Sequence, residues 1–206
     1  MSTSRHKPVL SEPARPILRL VSTGPEQRAE TPIRADACSI VPALVDVFDI
    51  RPIQPADAAL IVAAVAYTSS ETYYRRFHAA KRCFSRSELE YLTEVDGMTH
   101  VALVAVERGE HPRLAAAARF CKDPMNPHEG ELGICVHDPF RRRGLGAEML
   151  RRLSAEASLR GVSQLRAMIQ SDNGAMRALL YHVFPDTRVD NRYGGEVDYI
   201  APVRQR

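Results

Sequence analysis

The stretch Ile134-Cys135-Val136-His137-Asp138-Pro139-Phe140-Arg141-Arg142-Arg143-Gly144-Leu145-Gly146-Ala147 decides how this chain folds. Its first residues continue an apolar strand, a turn carrying three arginines follows, and two glycines stand where the next helix starts. Leu145, Met149, Leu150, Leu153 and Ala157 then recur at helical spacing and form an apolar stripe. Glycine lets a ligand approach the backbone, the first-turn N–H groups have no helical acceptor, and the helix dipole attracts an anion there. Two readings stand on physics alone: a phosphate-bearing ligand, or a glycine-rich helix start that binds nothing. Neither a complete GxGxxG loop nor a GxxxxGKS/T loop is present, which disfavours those two cofactor classes.

Downstream, Gly161 closes the helix, Gln164–Gln170 reads as a strand, residues 173–181 as a helix and residues 196–201 as a last strand. Upstream, residues 131–136 form a strand, and residues 100–106 and 114–121 form a hairpin around Gly109, with Arg113 and Arg119 expected at its wetter positions. Helices are expected from Pro55, from Ser70 with Glu71 in its first turn, and after Ser85 or Ser87 as a cap. A strand over residues 45–50 opens the domain, and Pro52 ends it. This order predicts an α/β fold, a mixed sheet with helices on it, in one domain over residues 45–206. Residues 1–44 hold prolines at 8, 13, 16, 25, 32 and 42 and are expected to form a tail or an arm, laid on the domain or on a partner subunit; a homodimer stays open.

With 206 residues, 45% hydrophobic and 26% charged, the chain is long enough to close one core, and its apolar runs fall short of a membrane span. Its first residues show no secretory signal, so a cytoplasmic location is expected. Four scattered cysteines and seven histidines make no metal-ligand spacing, and no metal is expected. The net charge of +3 names no partner, and a run of three arginines lacks the extended basic surface of a nucleic-acid binder.

The segment Arg141-Arg142-Arg143-Gly144-Leu145-Gly146 resembles motif A of the GNAT superfamily of N-acetyltransferases, a Q/R-x-x-G-x-G/A turn that wraps the pyrophosphate of acetyl-coenzyme A. Asn173 with Met176 and Leu179 resembles the second signature, whose asparagine contacts the pantetheine arm. Ile50-Arg51-Pro52-Ile53-Gln54-Pro55-Ala56-Asp57, Glu71-Thr72-Tyr73-Tyr74-Arg75-Arg76-Phe77 and Phe84-Ser85-Arg86-Ser87-Glu88-Leu89-Glu90-Tyr91-Leu92 resemble the catalytic domain of bacterial protein-lysine acetyltransferases. The resemblance implies a GNAT-like, mostly antiparallel central sheet with helices on both faces. It also implies acetyl-CoA as cofactor, held at Ile134, Val136, Arg141, Arg142, Arg143, Gly144, Leu145, Gly146, Ala147, Asn173 and Met176. Phe184-Pro185 departs from the Gly-Phe pair usual in the family. Asn173 also has a plainer reading, as a helix cap.

An amine is protonated near neutral pH, so acetyl transfer to it needs a proton acceptor. Alternation along residues 131–136 puts Leu132, Ile134 and Val136 on one face and Glu131, Gly133 and Cys135 on the other, with Gly133 leaving space beside Glu131. The resemblance assigns Glu131 as general base; the residue alone also fits a carboxylate that orients substrate or pairs with an arginine. Glu129 shares that face if the strand starts early, and a second carboxylate there attracts a cationic amine. A tyrosine seven residues after the asparagine commonly serves the family as general acid. That spacing selects Leu180, and Tyr181 lies one helical step later, about 100° round. Tyr181 is therefore a candidate acid or else a core or pocket-wall residue. Tyr73 and Tyr74, with Arg75, Arg76 and Phe77, wall an acceptor site or anchor the core. Cys135 has no histidine partner marked in the sequence and is expected to be packing. The expected function is acetyl transfer from acetyl-CoA to a primary amine, on a protein lysine or a small molecule. The alternative is a non-catalytic acyl-coenzyme A sensor or interaction module.

Overall fold

The computed structural model describes residue 44, residues 46–77 and residues 83–204; apart from Leu44, the arm expected over residues 1–44 lies outside the described residues. The chain runs β1 (Phe48–Pro52), α1 (Ala58–Ala64), α2 (Ser70–Phe77), α3 (Arg86–Thr93), β2 (His100–Glu107), β3 (Leu114–Lys122) and β4 (Glu129–Val136). It continues through α4 (Leu145–Leu159), β5 (Gln164–Gln170), α5 (Gly174–Val183), β6 (Arg188–Tyr193) and β7 (Glu196–Pro202).

Seven strands form one sheet in the order β1-β2-β3-β4-β5-β7-β6. Neighbours are antiparallel except β4 and β5, which are parallel because α4 carries the chain back across the sheet between them. On one face, Leu145, Met149, Leu150, Leu153 and Ala157 of α4 and Met176 and Leu180 of α5 bury against Leu132, Ile134, Leu165, Ala167 and Ile169. On the other face, Ile61 of α1 and Leu92 of α3 bury against Ala102, Val104 and Val106. The mixed, mostly antiparallel sheet with helices on both faces is thus present.

Local signals fixed most boundaries. Ser85 caps α3, accepting from the Glu88 amide at 3.2 Å while the Glu88 carboxylate accepts from the Ser85 amide at 2.8 Å. Gly161 follows α4 at φ +75. Three differences from the sequence expectations have physical reasons. β1 starts at Phe48, since Asp46 and Val47 are helical and exposed, and Phe48 is buried edge-on to Phe140 at 5.9 Å. β4 starts two residues early, at Glu129. Edge strand β6, Arg-Val-Asp-Asn-Arg-Tyr, carries no hydrophobic alternation because it has little apolar surface to bury, so its sequence does not announce it.

Arg119 corrects an expectation outright: it is 3% exposed, not at a wet position. Its guanidinium donates to the Leu92 carbonyl at 2.9 Å and lies 3.1 Å from His100 Nε2. Burial, and then the Arg119 charge, push the His100 pKa down to about 4, so its neutral ring accepts that hydrogen bond. Among the described residues no helix is long and apolar enough to cross a membrane.

Candidate active site

β4 and β5 pair at three positions, Glu129↔Gln164, Gly130↔Leu165 and Glu131↔Arg166. Both strands continue beyond them, β4 held by β3 as far as Val136 and β5 by β7 as far as Gln170. The parallel pair therefore splays after Glu131, and the facing backbone edges beyond it share no ladder. Buried backbone groups require partners, and an extended ligand entering such an opening supplies them as an added strand does. Ile134 and Val136 lie on the β4 side of this opening, Ile134 buried and Val136 half-buried.

The arginine-rich turn stands at the end of β4. Asp138–Phe140 forms a single 3-10 turn that seats Phe140 in the core, and Gly144 at φ +79 caps α4. Arg142 is a non-glycine residue at φ +61, an uncommon conformation that tightens the loop. The Ala147 and Glu148 amides bond back to the Gly144 carbonyl, while the amides before them open the helix without helical acceptors. A Cβ on Gly146 would lie 3.1 Å from Leu179 Cδ2 and 3.5 Å from Val136 Cγ2, so this glycine is required for close packing of α4, α5 and β4. Leu145 and Ala147 are buried, whereas Arg142 and Arg143 are exposed, Arg143 lying over the Phe140 ring. Arg141 is engaged by the protein itself: it pairs with Asp138 at 2.5 Å, donates to the Val136 carbonyl at 3.2 Å and donates to Thr72 Oγ1.

Helix α2 closes over the mouth of the splay. Asp138 accepts from the Ser69 amide at 2.6 Å and from Thr72 Oγ1 at 3.1 Å, capping α2 from the end of β4. Arg75 pairs with Asp172 at 3.3 Å, joining α2 to the end of β5. The helix is thus tied just beyond the ends of both strands, where the splay is open.

Asn173 is fully buried, and its two polar atoms differ in their surroundings. Its Oδ1 accepts from the Met176 amide at 2.8 Å, the capping role, while its Nδ2 is buried with no hydrogen-bond partner. An unmet buried donor costs about 1–3 kcal/mol, and a ligand carbonyl would meet it. Met176 packs in the core beside it. The opened strand edge, the unsatisfied turn amides and this orphaned donor all fit an extended cofactor ending in phosphates.

Glu131 projects from the face opposite the α4 core, as its alternation with Leu132 requires. The space expected over Gly133 is filled: a Cβ there would lie 3.4 Å from Arg76 Nη2 and 3.4 Å from Arg119 Cγ. Arg76 is 5% exposed, and burial pushes its pKa down while the charge of Glu131 acts in the opposite sense. Glu129 shares the face of Glu131 and lies 3.6 Å from Arg166. Burial pushes the Cys135 thiol up to about 11, leaving it protonated and unreactive at neutral pH.

The tyrosines divide. Tyr73 is 4% exposed and stacks on Phe77 at 5.9 Å, a core anchor, whereas Tyr74 is 54% exposed. Leu180, at the seven-residue spacing, is buried, and Tyr181 lies on the exposed flank of α5, edge-on to Tyr199 at 6.1 Å. Sequence reading did not single out Thr72, Asp138, Arg166, Asp190 or Asp198. Asp138 was legible only as half of a strand-breaking Asp-Pro, and the others carry no local pattern.

A mixed sheet that splays between its parallel strands β4 and β5, beside an anion-ready helix start, defines a class of domain with room for an extended, phosphate-bearing ligand. The profile of the acetyltransferase (GNAT) domain matches residues 48–183, and the chain belongs to that family. It is 35% identical over 133 residues to Acetyltransferase Pat of Mycolicibacterium smegmatis, covering 65% of this chain and 39% of that protein. The fold resembles the GNAT domain of S. lividans PAT, with TM-score 0.68 and 22% identity over 75% of this chain and 90% of that one. It also resembles a cAMP-binding acyltransferase from Mycobacterium smegmatis, with TM-score 0.54 and 27% identity over 82% of this chain and 50% of that one. The chain thus spans about two fifths of the length of the curated relative it matches.

Proposed function

We propose that the chain transfers the acetyl group of acetyl-coenzyme A to a primary amine. The observation that carries this reading is the buried, unpartnered Nδ2 of Asn173 beside a splayed β4–β5 pair. In this reading the β4 edge at Ile134 and Val136, with Asn173, holds the pantetheine arm, and the amides of residues 143–146 hold the pyrophosphate, the Ala147 amide being taken by the Gly144 carbonyl. Arg141 shapes that turn through Asp138, while Arg142 and Arg143, exposed beside it, add positive charge for the phosphates.

The cofactor supplies a thioester whose carbonyl carbon is the electrophile. Glu131 takes the proton from the acceptor ammonium, directly or through a water, and the freed nitrogen attacks that carbon. The new C–N bond forms as the C–S bond breaks, and coenzyme A leaves as a thiol once protonated. Arg76, buried over Gly133, keeps a counter-charge near Glu131. Tyr181 is the candidate donor to the leaving sulfur, at a position one helical step from the family spacing.

Coenzyme A release from acetyl-CoA, measured against a panel of small amines and lysine peptides, tests the reading. Turnover on any amine supports it. Tight acetyl-CoA binding with no turnover on the whole panel overturns it in favour of an acyl-coenzyme A sensor, a reading favoured by Leu180 in the core and Tyr181 on an exposed flank. A protein lysine as acceptor accords with the 35% identity to Acetyltransferase Pat.

A further inference from the structure

On the face of the sheet that carries Glu131, the β5 side of the splay holds a group of charges with no part in the steps above. Arg166, the register partner of Glu131, meets three carboxylates: Asp198 at 2.5 Å, Asp190 at 2.7 Å and Glu129 at 3.6 Å. One guanidinium against three carboxylates leaves an excess of two negative charges (1 − 3 = −2). Arg188, opposite Ile200 on β6, is the next cation along this edge, and among the described residues it makes no ion pair with the three carboxylates.

Two features go beyond a clamp that ties β6 and β7 to β5. Asp198 is 4% exposed, and while its Oδ2 is bonded to Arg166, its Oδ1 is buried with no partner at all. Leaving such an acceptor unmet costs about 1–3 kcal/mol, which a donor from a ligand would offset. Burial pushes the Asp198 pKa up and Arg166 opposes it, a balance that a second cation would tip further toward the ionised form. Asp190, in turn, stands at a β-bulge between Val189 and Asn191, an irregularity that re-aims one side chain of an edge strand and here brings Asp190 to Arg166. Asp190 is 34% exposed and Glu129 23%, so the group opens to solvent on that side.

We propose that Asp198, Asp190 and Glu129 form a subsite for a second positive charge on the acceptor, an ammonium or guanidinium that donates to the unmet Asp198 oxygen while the reacting amine lies beside Glu131. The inference rests on the amine-acetylation reading. Arg166 is the register partner of Glu131, and Asp198 lies on the next strand over, opposite Met168, so the acceptor's two charges bridge from Glu131 across Arg166 to Asp198, as an extended diamine or a lysine with a basic neighbour does. The subsite attracts and orients the acceptor and takes no part in breaking the C–S bond, so its effect falls on KM.

The test compares kcat/KM within two matched pairs of acceptors: 1-aminopentane with 1,5-diaminopentane, and peptides whose central lysine is flanked by alanine or by arginine. The doubly charged member of at least one pair is expected to be tenfold better or more, through KM, with the preference shrinking as salt rises. The pair that shows it tells a free polyamine from a lysine in a basic segment. Asp198→Asn, nearly isosteric, and Asp190→Asn, at the exposed end of the group, are each expected to reduce the preference below threefold by raising KM for the doubly charged acceptor, with kcat within twofold. Turnover with no preference in either pair, or a preference that survives both variants, overturns the subsite alone. Absence of turnover on every amine overturns the acetyl-transfer reading and the subsite with it.

Discussion

The Arg141 guanidinium is held by the Asp138 carboxylate at 2.5 Å, and the same carboxylate caps α2 through the Ser69 amide at 2.6 Å. One acidic side chain therefore sets the shape of the glycine turn and latches α2 over the splay. The first arginine of the turn is thereby held by the protein itself, and in the proposed reading it serves the cofactor by shaping the loop.

Asp138→Asn is accordingly expected to loosen the turn and the helix together. Acetyl-CoA affinity should fall about tenfold and stability by about 1–2 kcal/mol, the scale of losing a charge-assisted hydrogen bond and a cap. Titration calorimetry and urea unfolding measure the two. Asp172→Asn, which releases only the exposed bridge to Arg75, should change each far less, since Asp172 is 68% exposed. Equal effects of the two substitutions would show that the Asp138 latch has no special part.

Gly146 packs the start of α4 and, in the proposed reading, leaves its amides open to phosphate, two roles that one double variant separates. Gly146→Val puts a branched side chain where a Cβ already meets Leu179 at 3.1 Å, and overpacking of this kind costs about 1–3 kcal/mol. Leu179→Ala in the same chain should restore much of that stability and leave acetyl-CoA binding lost, because the valine still fills the approach to the first-turn amides. Recovery of binding along with stability would mean that the glycine serves packing alone.

Most of the frame was legible because it rests on local rules: the apolar stripe of α4, the Ser85 capping box and the alternation of β4 each follow from a few neighbouring residues. The same holds for Gly144, whose φ of +79 a glycine adopts readily. What was not legible arises between distant segments. Arg76 fills the space over Gly133, Arg119 is buried by α3, and Asp138 reaches Ser69 and Thr72, all pairings that depend on which helix covers which strand. β6 was missed because an edge strand with few apolar residues lacks the periodicity by which strands are recognised.

Acid should unfold the domain partly through His137. It is 5% exposed, Nδ1 lies 2.7 Å from Thr68 Oγ1, and burial pushes its pKa down to about 4. Since the unfolded ring titrates near 6.5, the unfolded state binds more protons between those values, so the stability contributed is present above pH ~6.5 and is lost as pH falls toward ~4. The loss approaches about 3 kcal/mol at the acid end. Urea midpoints at pH 7.5, 6 and 5 should decline, and less steeply in His137→Gln; parallel declines in the two proteins would place the acid sensitivity elsewhere, with His100 the next candidate.

Glu131→Gln is expected to preserve folding and acetyl-CoA affinity and to lower turnover sharply at neutral pH. Glu131 sits at the last paired position before β4 and β5 part, on the face away from the α4 core, within the field of Arg76. Glutamine keeps nearly the same volume, so lost activity would not report a cavity, and it cannot take the ammonium proton. General-base contributions are about 10² to 10⁴ in rate, and the variant should partly recover as pH rises and the acceptor deprotonates on its own. Arg76 makes the comparison sharper. Removing the Glu131 charge leaves a buried guanidinium with one counter-charge fewer, so Glu131→Gln should also cost some stability, readable by urea unfolding in the absence of any substrate. A stability loss with single-turnover acetyl transfer near normal at neutral pH would assign Glu131 to holding Arg76, and the proton would then pass to Glu129 or to water.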